Sequence, residues 1–400
     1  MRWAQIRFGD LYALPSRNGL MRPSRVRGEG YKMVNMGELF ANARIGDIPM
    51  ERVPMNEREI ENFSLEEGDL LFARQSLVLE GAGQCSYIAA VPETTTFESH
   101  LIRVRLDREK AHPLYYHYLF ASPYSGMSTI VQQCAQAGIR ASDLVELSVF
   151  HPPVDTQQKI ASILSTYDDL IENNRRRMTL LEDAARQVYQ EWFVRLRFPG
   201  YEHTRIVDGV PEGWEKKRLG DVCYDVREAV LPEALEPDTP YIGLEHIPRR
   251  SISLIEWGNA QQVTSTKLRF REGEILFGKI RPYFHKVGIA FVDGVASSDT
   301  IIIRPNEEKL HGLVLMTASS DPFVANTSQT MKEGSKMPRA DWKQMQEYPV
   351  AVPPDGLLYT FNDTISSITS QLKNLTFQNQ KLRTARDLLL PKLMSGEIAV

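Results

Sequence analysis

The stretch Asp168–Phe193, "DDLIENNRRRMTLLEDAARQVYQEWF", has apolar residues at helical spacing on both sides of an Asn-Asn-Arg-Arg-Arg centre. Leu164, Ile171, Met178, Ala185 and Trp192 recur every seven residues, as do Ile160, Tyr167, Asn174, Leu181 and Val188. These sets take the a and d positions of five heptads, with Asn174 as a polar residue in the middle of the d set. Arg175, Arg176 and Arg177 then fall at e, f and g, beside the seam. Such a run is ordinarily a solvated face. Its functional alternatives are contact with an acidic partner groove or with DNA phosphate.

A narrow apolar stripe needs a partner, and a matching one lies near the end of the chain. Ile365, Leu372, Asn379, Arg386 and Leu393 take a, while Phe361, Ile368, Leu375, Leu382 and Leu389 take d. No proline precedes Pro391 in that stretch, so nothing forces an earlier kink. In an antiparallel pair a layers face d layers, and Asn174 can bond to Asn379. In a parallel pair each carboxamide would sit unpaired against an apolar layer, at about 1–3 kcal/mol apiece. The expectation is an antiparallel coiled coil with the two asparagines at its centre. Five heptads span about 50 Å.

The chain is written twice. Trp3, Arg7, Gly9 and Asp10 match Trp214, Arg218, Gly220 and Asp221, at an offset of 214 − 3 = 211. Gly68, Leu71 and Phe72 match Gly273, Leu276 and Phe277 at 205; Pro152-Pro153 match Pro353-Pro354 at 201; Ala185-Arg186 match Ala385-Arg386 at 200. The preserved order and shrinking offset describe a tandem duplication with shorter loops in the second copy. Each copy opens with β-type runs ("DLLFAR", "HLIRVRL"; "EILFGK", "DTIIIRP") and short helical stretches ("HPLYYHYLFASP", "LHGLVLMTASSDP"), then closes with a long helix. The expected fold is α/β (α+β): two similar globular domains and two long helices, pseudo-two-fold symmetric. The expected boundaries are residues 1–154 and 196–355 for the domains, 155–195 and 356–400 for the helices.

Composition narrows the class of function. A net charge of −4 over 400 residues argues against a uniformly basic nucleic-acid binder but leaves room for local basic faces. Three scattered cysteines and no CxxC suggest reduced thiols. No apolar run approaches a membrane span, and the expectation is a cytoplasmic protein with no membrane partner. No GxxxxGK[ST] loop is present. The Pro-Pro pairs lack the flanking residues that hold a flipped adenine, Pro237-Asp238 with Glu245 lacks a nuclease lysine, and the eight histidines form no ligand-spaced group. His112 and His117 are expected on a helix surface or in packing. Nothing points to a catalytic residue or a metal.

Two globular copies on a rigid spacer suit a target with two separated halves, and 50 Å corresponds to roughly 15 base pairs. Equivalent places in the copies should carry equivalent contacts. After the first central strand come Arg74, Gln75 and Ser76; after the second come Lys279, Arg281, Tyr283, His285 and Lys286. Before each exit strand lie Gln133, Gln136 and Arg140, and Lys332, Ser335, Lys336 and Arg339, with a glycine in each stretch for close approach to phosphate. Arg17, Arg22, Arg25, Arg27 and Lys32 form an N-terminal basic cluster suited to a flexible phosphate-binding loop. Trp3 and Trp214 are expected in the cores, and Trp192-Phe193 where helix meets domain or partner subunit. The rival class is a structural coiled-coil adaptor whose end domains bind proteins.

"IASILSTYDDLIENNRRRMTLLEDAARQVYQEWF", "VPEGWEKKRLGDV" and "ARDLLLPKLMSGEI" resemble the DNA-specificity subunit of type I restriction-modification systems, over the whole chain. The resemblance implies two target-recognition domains, each reading half of a bipartite double-stranded DNA site, and helices that set the gap. It implies two methyltransferase subunits gripping the helices and methylating adenine N6 with S-adenosylmethionine. A restriction and translocase subunit would use ATP and Mg²⁺. The chain itself would hold no cofactor and act in the prokaryotic cytosol, on DNA, as a non-catalytic subunit.

Overall fold

The computed structural model describes residues 3–133, 137–329 and 337–400, with Gln133 and Gln262 given by their backbone. The chain forms two compact units: Met1–Ile171 with Lys381–Val400, and Glu172–Gln380. The cut runs through both long helices, Val154–Tyr189 and Asp355–Ser395, so each unit owns one globular domain and part of each helix.

In the first unit Gln5–Arg7 pairs antiparallel with Ser148–Phe150, bringing the domain's entry beside its exit. The main sheet runs Tyr12–Asn18, Leu101–Leu106, Leu70–Ala73, Cys85–Ile88, Arg44–Ile45, and its last pair is parallel. The side-chain period of two splits the central strand between two cores. Leu70 and Phe72 join Ile102, Val104, Tyr115 and Tyr116 on one face. Leu71 and Ala73 join Val34, Leu39, Ile88 and Phe97 on the other. With both faces covered, the strand reads as a continuous apolar run.

The second unit repeats this order with Cys223–Val226, Thr300–Pro305, Ile275–Gly278, Val287–Ala290 and Ser253–Leu254, again with a parallel last pair. Glu215–Arg218 pairs with Pro349–Val352. A turn enters the central strand of each unit through a left-handed glycine, Gly68 (φ 92°) and Gly273 (φ 85°). The next residue is a buried acid that accepts from a backbone N–H of its own turn and from an arginine across the sheet. These are Asp69 with Arg105 and Glu274 with Arg304.

The helix parts are embedded in these cores. Ile160, Ala161 and Leu164 pack with Leu390, Leu393 and Met394 in the first unit. Met178, Ala185 and Tyr189 pack with Phe361, Ile365, Ile368, Leu372 and Leu375 in the second. Asn174 Nδ2 donates to Asn379 Oδ1 at 3.0 Å. Tyr189 and Phe193 lie against Phe361, so residue numbers rise on one helix as they fall on the other: the pair is antiparallel. The stripe is wider than two positions per heptad. Gln157, Glu182, Leu358, Thr369 and Thr376 are also buried, because the globular part of each unit covers a third face of the helices. The first helix ends in a π-turn, Gln190–Val194, and the second runs through Pro391 to Ser395. Trp192 and Phe193 pack on Phe361, and Phe193 also on Trp214. His117 lies in the core, not on a helix surface. Cys85 and Cys223 are buried free thiols, and Cys134 lies outside the described residues.

Candidate nucleic-acid interface

Each central strand leaves its sheet through the same backbone framework. Arg74 N–H donates to His100 O at 2.8 Å, and Arg74 O accepts from Ile139 N–H at 2.9 Å. In the second unit Lys279 N–H donates to Asp299 O at 2.8 Å, and Lys279 O accepts from Ala340 N–H at 2.9 Å. The offsets here are 279 − 74 = 205, 299 − 100 = 199 and 340 − 139 = 201. The steady shrinkage expected of the duplication therefore fails: loops have both shortened and lengthened.

In the first unit the framework extends into a three-stranded ribbon. Gln75 and Ser76 pair with Gly138 and Ala137, which pair in turn with Gln132 and Gln133. Two stretches singled out from distant parts of the sequence thus lie side by side. Arg74 and Arg140 are exposed at its edge; Ser76 is half-buried and its Oγ accepts from Val78 N–H at 3.2 Å. Gly138 has a local reason to be glycine: a Cβ there would stand 3.0 Å from Arg74 O. Gln136 lies outside the described residues.

In the second unit, among the described residues, Ile280 bridges to Arg339, and Arg281 N–H donates to Pro338 O at 2.9 Å. Lys332, Ser335 and Lys336 lie outside the described residues. The run Lys279–Lys286 divides sharply. Tyr283 is 52 % exposed, its ring edge-on to Phe284 at 5.0 Å. The Arg281 guanidinium lies 5.9 Å from the Phe284 ring centre.

The other basic members of the run are engaged by their own domain, His285 buried and Lys279 and Lys286 half-buried. His285 is only 7 % exposed and donates through Nε2 to Ser319 O at 2.8 Å; burial holds its pKa below the usual value. Lys279 Nζ donates to Ser298 O at 2.9 Å and Lys286 Nζ to Leu244 O, and burial lowers both pKa values. These cations satisfy carbonyls of their own domain. Arg339 projects outward, 3.3 Å from Asp299.

Sequence reasoning missed Arg249, whose guanidinium lies 4.1 Å from the Phe284 ring centre. The Pro248-Arg249-Arg250 run was its only signal, because the first copy has no counterpart. Arg250 (φ 56°), Arg281 (φ 49°) and His285 (φ 54°) are all left-handed, a costly conformation that surroundings must hold.

The N-terminal basic cluster is not a flexible loop. Arg17 donates to Asn62 Oδ1 at 2.8 Å and stacks on Phe63. Arg22 pairs with Glu59 at 2.6 Å, Arg27 with Glu51 at 2.5 Å, and Lys32 with Asp47 at 2.7 Å and Glu93 at 3.1 Å. Folding brings in acids that neutralise the run; Arg25 stays exposed. Arg175, Arg176 and Arg177 are exposed on the helix, with Arg176 paired to Glu172.

Behind each strand exit lies a notch floored by the last part of a long helix. In the first unit it is a cavity of about 780 Å³, lined by Leu79, Cys85, Tyr118, Met127, Asp168 and Arg386 among others. In the second it is about 180 Å³, lined by Tyr189, Arg250 and His285 beside Arg186. No group of His, Cys, Asp or Glu among the described residues is placed to hold a metal ion, and no described helix is long and apolar enough to cross a membrane.

The sequence model described as "Type I restriction modification DNA specificity domain" matches residues 2–183 and again 211–385. The chain belongs to that family and is a specificity subunit, the non-catalytic component of a type I restriction-modification system. It is 23% identical over 376 residues to the type I restriction enzyme MjaIX specificity subunit of Methanocaldococcus jannaschii, covering 87% of this chain and 83% of that one. It is 24% identical over 245 residues to the EcoDI specificity subunit of Escherichia coli, covering 54% and 53%. The crystal structure of the type I restriction-modification S subunit from M. genitalium superposes with a TM-score of 0.60 at 16% identity, covering 98% and 96% of the two chains, and so shares the fold.

Proposed function

We propose that each unit reads one half of a bipartite double-stranded DNA site, and that the paired helices fix the unread gap between the halves. The observation that carries this reading is the repeated strand exit. Arg74 and Lys279 each hold two equivalent backbone partners, His100 and Ile139 in one unit and Asp299 and Ala340 in the other, and polar and basic side chains follow each of them. Arg74, Gln75 and Arg140 in the first unit, and Arg281, Tyr283, Arg339 and the unpredicted Arg249 in the second, are the proposed contacts. Base reading needs such hydrogen-bonding side chains on rigid supports at a groove.

The chain supplies the address and its partners supply the chemistry. Two methyltransferase subunits on the helices would transfer the methyl of S-adenosylmethionine to adenine N6. A restriction and translocation subunit would bring ATP and Mg²⁺ chemistry, on DNA in the prokaryotic cytosol. Arg175, Arg176 and Arg177 are proposed to meet the methyltransferase, as are Trp192 and Phe193, half-buried against Phe361 at the end of the helix.

Mapping N6-methyladenine across host DNA in cells with and without this gene tests the reading. The expected result is one new motif of two short blocks separated by a constant unread gap. A continuous motif, or none, would overturn it.

A further inference from the structure

The long helix and the outward turn of the second unit are joined by an unbroken chain of hydrogen bonds. Glu182 is buried on the first long helix. Its Oε1 accepts from Ser251 Oγ at 2.7 Å and Ser253 Oγ at 2.6 Å, and its Oε2 from Arg186 at 3.0 Å. Arg186 also donates to Asp183 at 2.8 Å and to Arg250 O. Arg250 N–H donates to His285 O at 2.9 Å, which closes the turn Pro282–Phe284. The Arg250 guanidinium reaches Asp321 at 2.9 Å, and His285 is anchored on Ser319 O.

We propose that Glu182, Arg186, Arg250 and His285 form a positioning tie that holds the recognition turn Arg281–His285 at one height on the spacer helix, and thereby fixes the gap length the chain accepts. The proposal rests on the bipartite reading above. A buried carboxylate is expensive to desolvate, and apolar packing would serve stability as well. What its directed bonds add is a single geometry. The two left-handed residues it joins, Arg250 and His285, need such enforcement.

The first unit is built differently at the equivalent place. Arg386, the counterpart of Arg186, is taken up by Asp168 and by Asp387 at 2.8 Å, and Tyr118 donates to Asp168 at 2.6 Å. The larger cavity lies there, where the second unit has its tie. The effect of breaking the tie therefore belongs to the second half-site and its spacing. Successive base pairs are about 3.4 Å apart, so a shift of a few ångströms at the turn is one step of gap.

The test maps N6-methyladenine in cells carrying the wild-type gene, Glu182→Ala, Glu182→Gln, the double variant Ser251→Ala with Ser253→Ala, and the exposed Glu308→Gln as a surface control. Discrimination against gaps one base pair longer or shorter is expected to fall about tenfold in Glu182→Ala and in the serine double variant, equivalent to about 1.4 kcal/mol. Glu182→Gln should fall between, and the first half-site and the control should not change. The serine variant keeps the carboxylate, so it answers the question if Glu182→Ala does not accumulate. A wild-type two-part motif reproduced at a single gap by the folded variants overturns the tie alone. A wild-type map without a two-part motif overturns the bipartite reading and the tie with it.

Discussion

Asn174 and Asn379, separated by 205 residues of sequence, share one hydrogen bond of 3.0 Å inside the helical seam, at 7 % and 6 % exposure. Each carboxamide is the other's compensation for leaving water. Replacing either alone with leucine strands the remaining amide and is expected to cost about 1–3 kcal/mol. Replacing both should recover most of that loss, because an apolar layer packs well. Urea unfolding of the four proteins of the cycle checks this. Additive losses in the double variant would show that the two residues do not act as a pair.

The turn acids should dominate stability within each sheet. Asp69 is 1 % exposed and grips Arg105 through two bonds of 2.7 Å. Asp69→Ala takes from the Arg105 guanidinium its buried carboxylate, leaving it the exposed Glu66 and Ser64 O, and is expected to cost about 1–3 kcal/mol. Glu274→Ala should cost less, because Arg304 is the more exposed arginine. Thermal unfolding of both variants gives the order; equal losses would contradict it.

His117 makes the first unit sensitive to acid. Burial in the core pushes its pKa down to about 4, against an ordinary value near 6.5. The folded chain therefore holds it neutral while the unfolded chain takes up a proton. Stability is fully present above about pH 6.5 and falls as pH drops toward 4, by about 3 kcal/mol over that window. His117→Leu should flatten this part of the profile. A variant whose stability falls as steeply as the wild type between those pH values would assign the effect elsewhere.

The parts of this fold legible in sequence are those governed by spacing. Heptad arithmetic placed Asn174 opposite Asn379 because a and d layers alternate without reference to the rest of the molecule. Self-similarity located the two strand exits because duplication carries backbone frameworks along with residues. The fate of each cation was not legible. Arg22, Arg27 and Lys32 are neutralised by Glu59, Glu51, Asp47 and Glu93, which reach them only through strand pairing and a neighbouring helix. Glu182 reads as a surface heptad residue until the sheet edge Ser253–Leu254 covers it. The seam was drawn too narrow for the same reason: the third face comes from another part of the chain.

The outward residues of the strand exits should carry the salt dependence of DNA binding. A cation that neutralises one phosphate contributes about 0.9 to the slope of log affinity against log salt concentration. Arg281→Ala and Arg74→Ala are each expected to weaken binding of the methyltransferase complex to its duplex and to reduce that slope by about 1. Lys286→Met should leave the slope unchanged, because its ammonium is committed to Leu244 O. Tyr283→Ala should weaken binding with no change of slope, since the ring carries no charge. Fluorescence titrations over a salt series separate these outcomes. An unchanged slope in both arginine variants would remove the strand exits from the DNA interface, and a reduced slope in Lys286→Met would mean that the Lys286 ammonium leaves Leu244 O for phosphate on DNA.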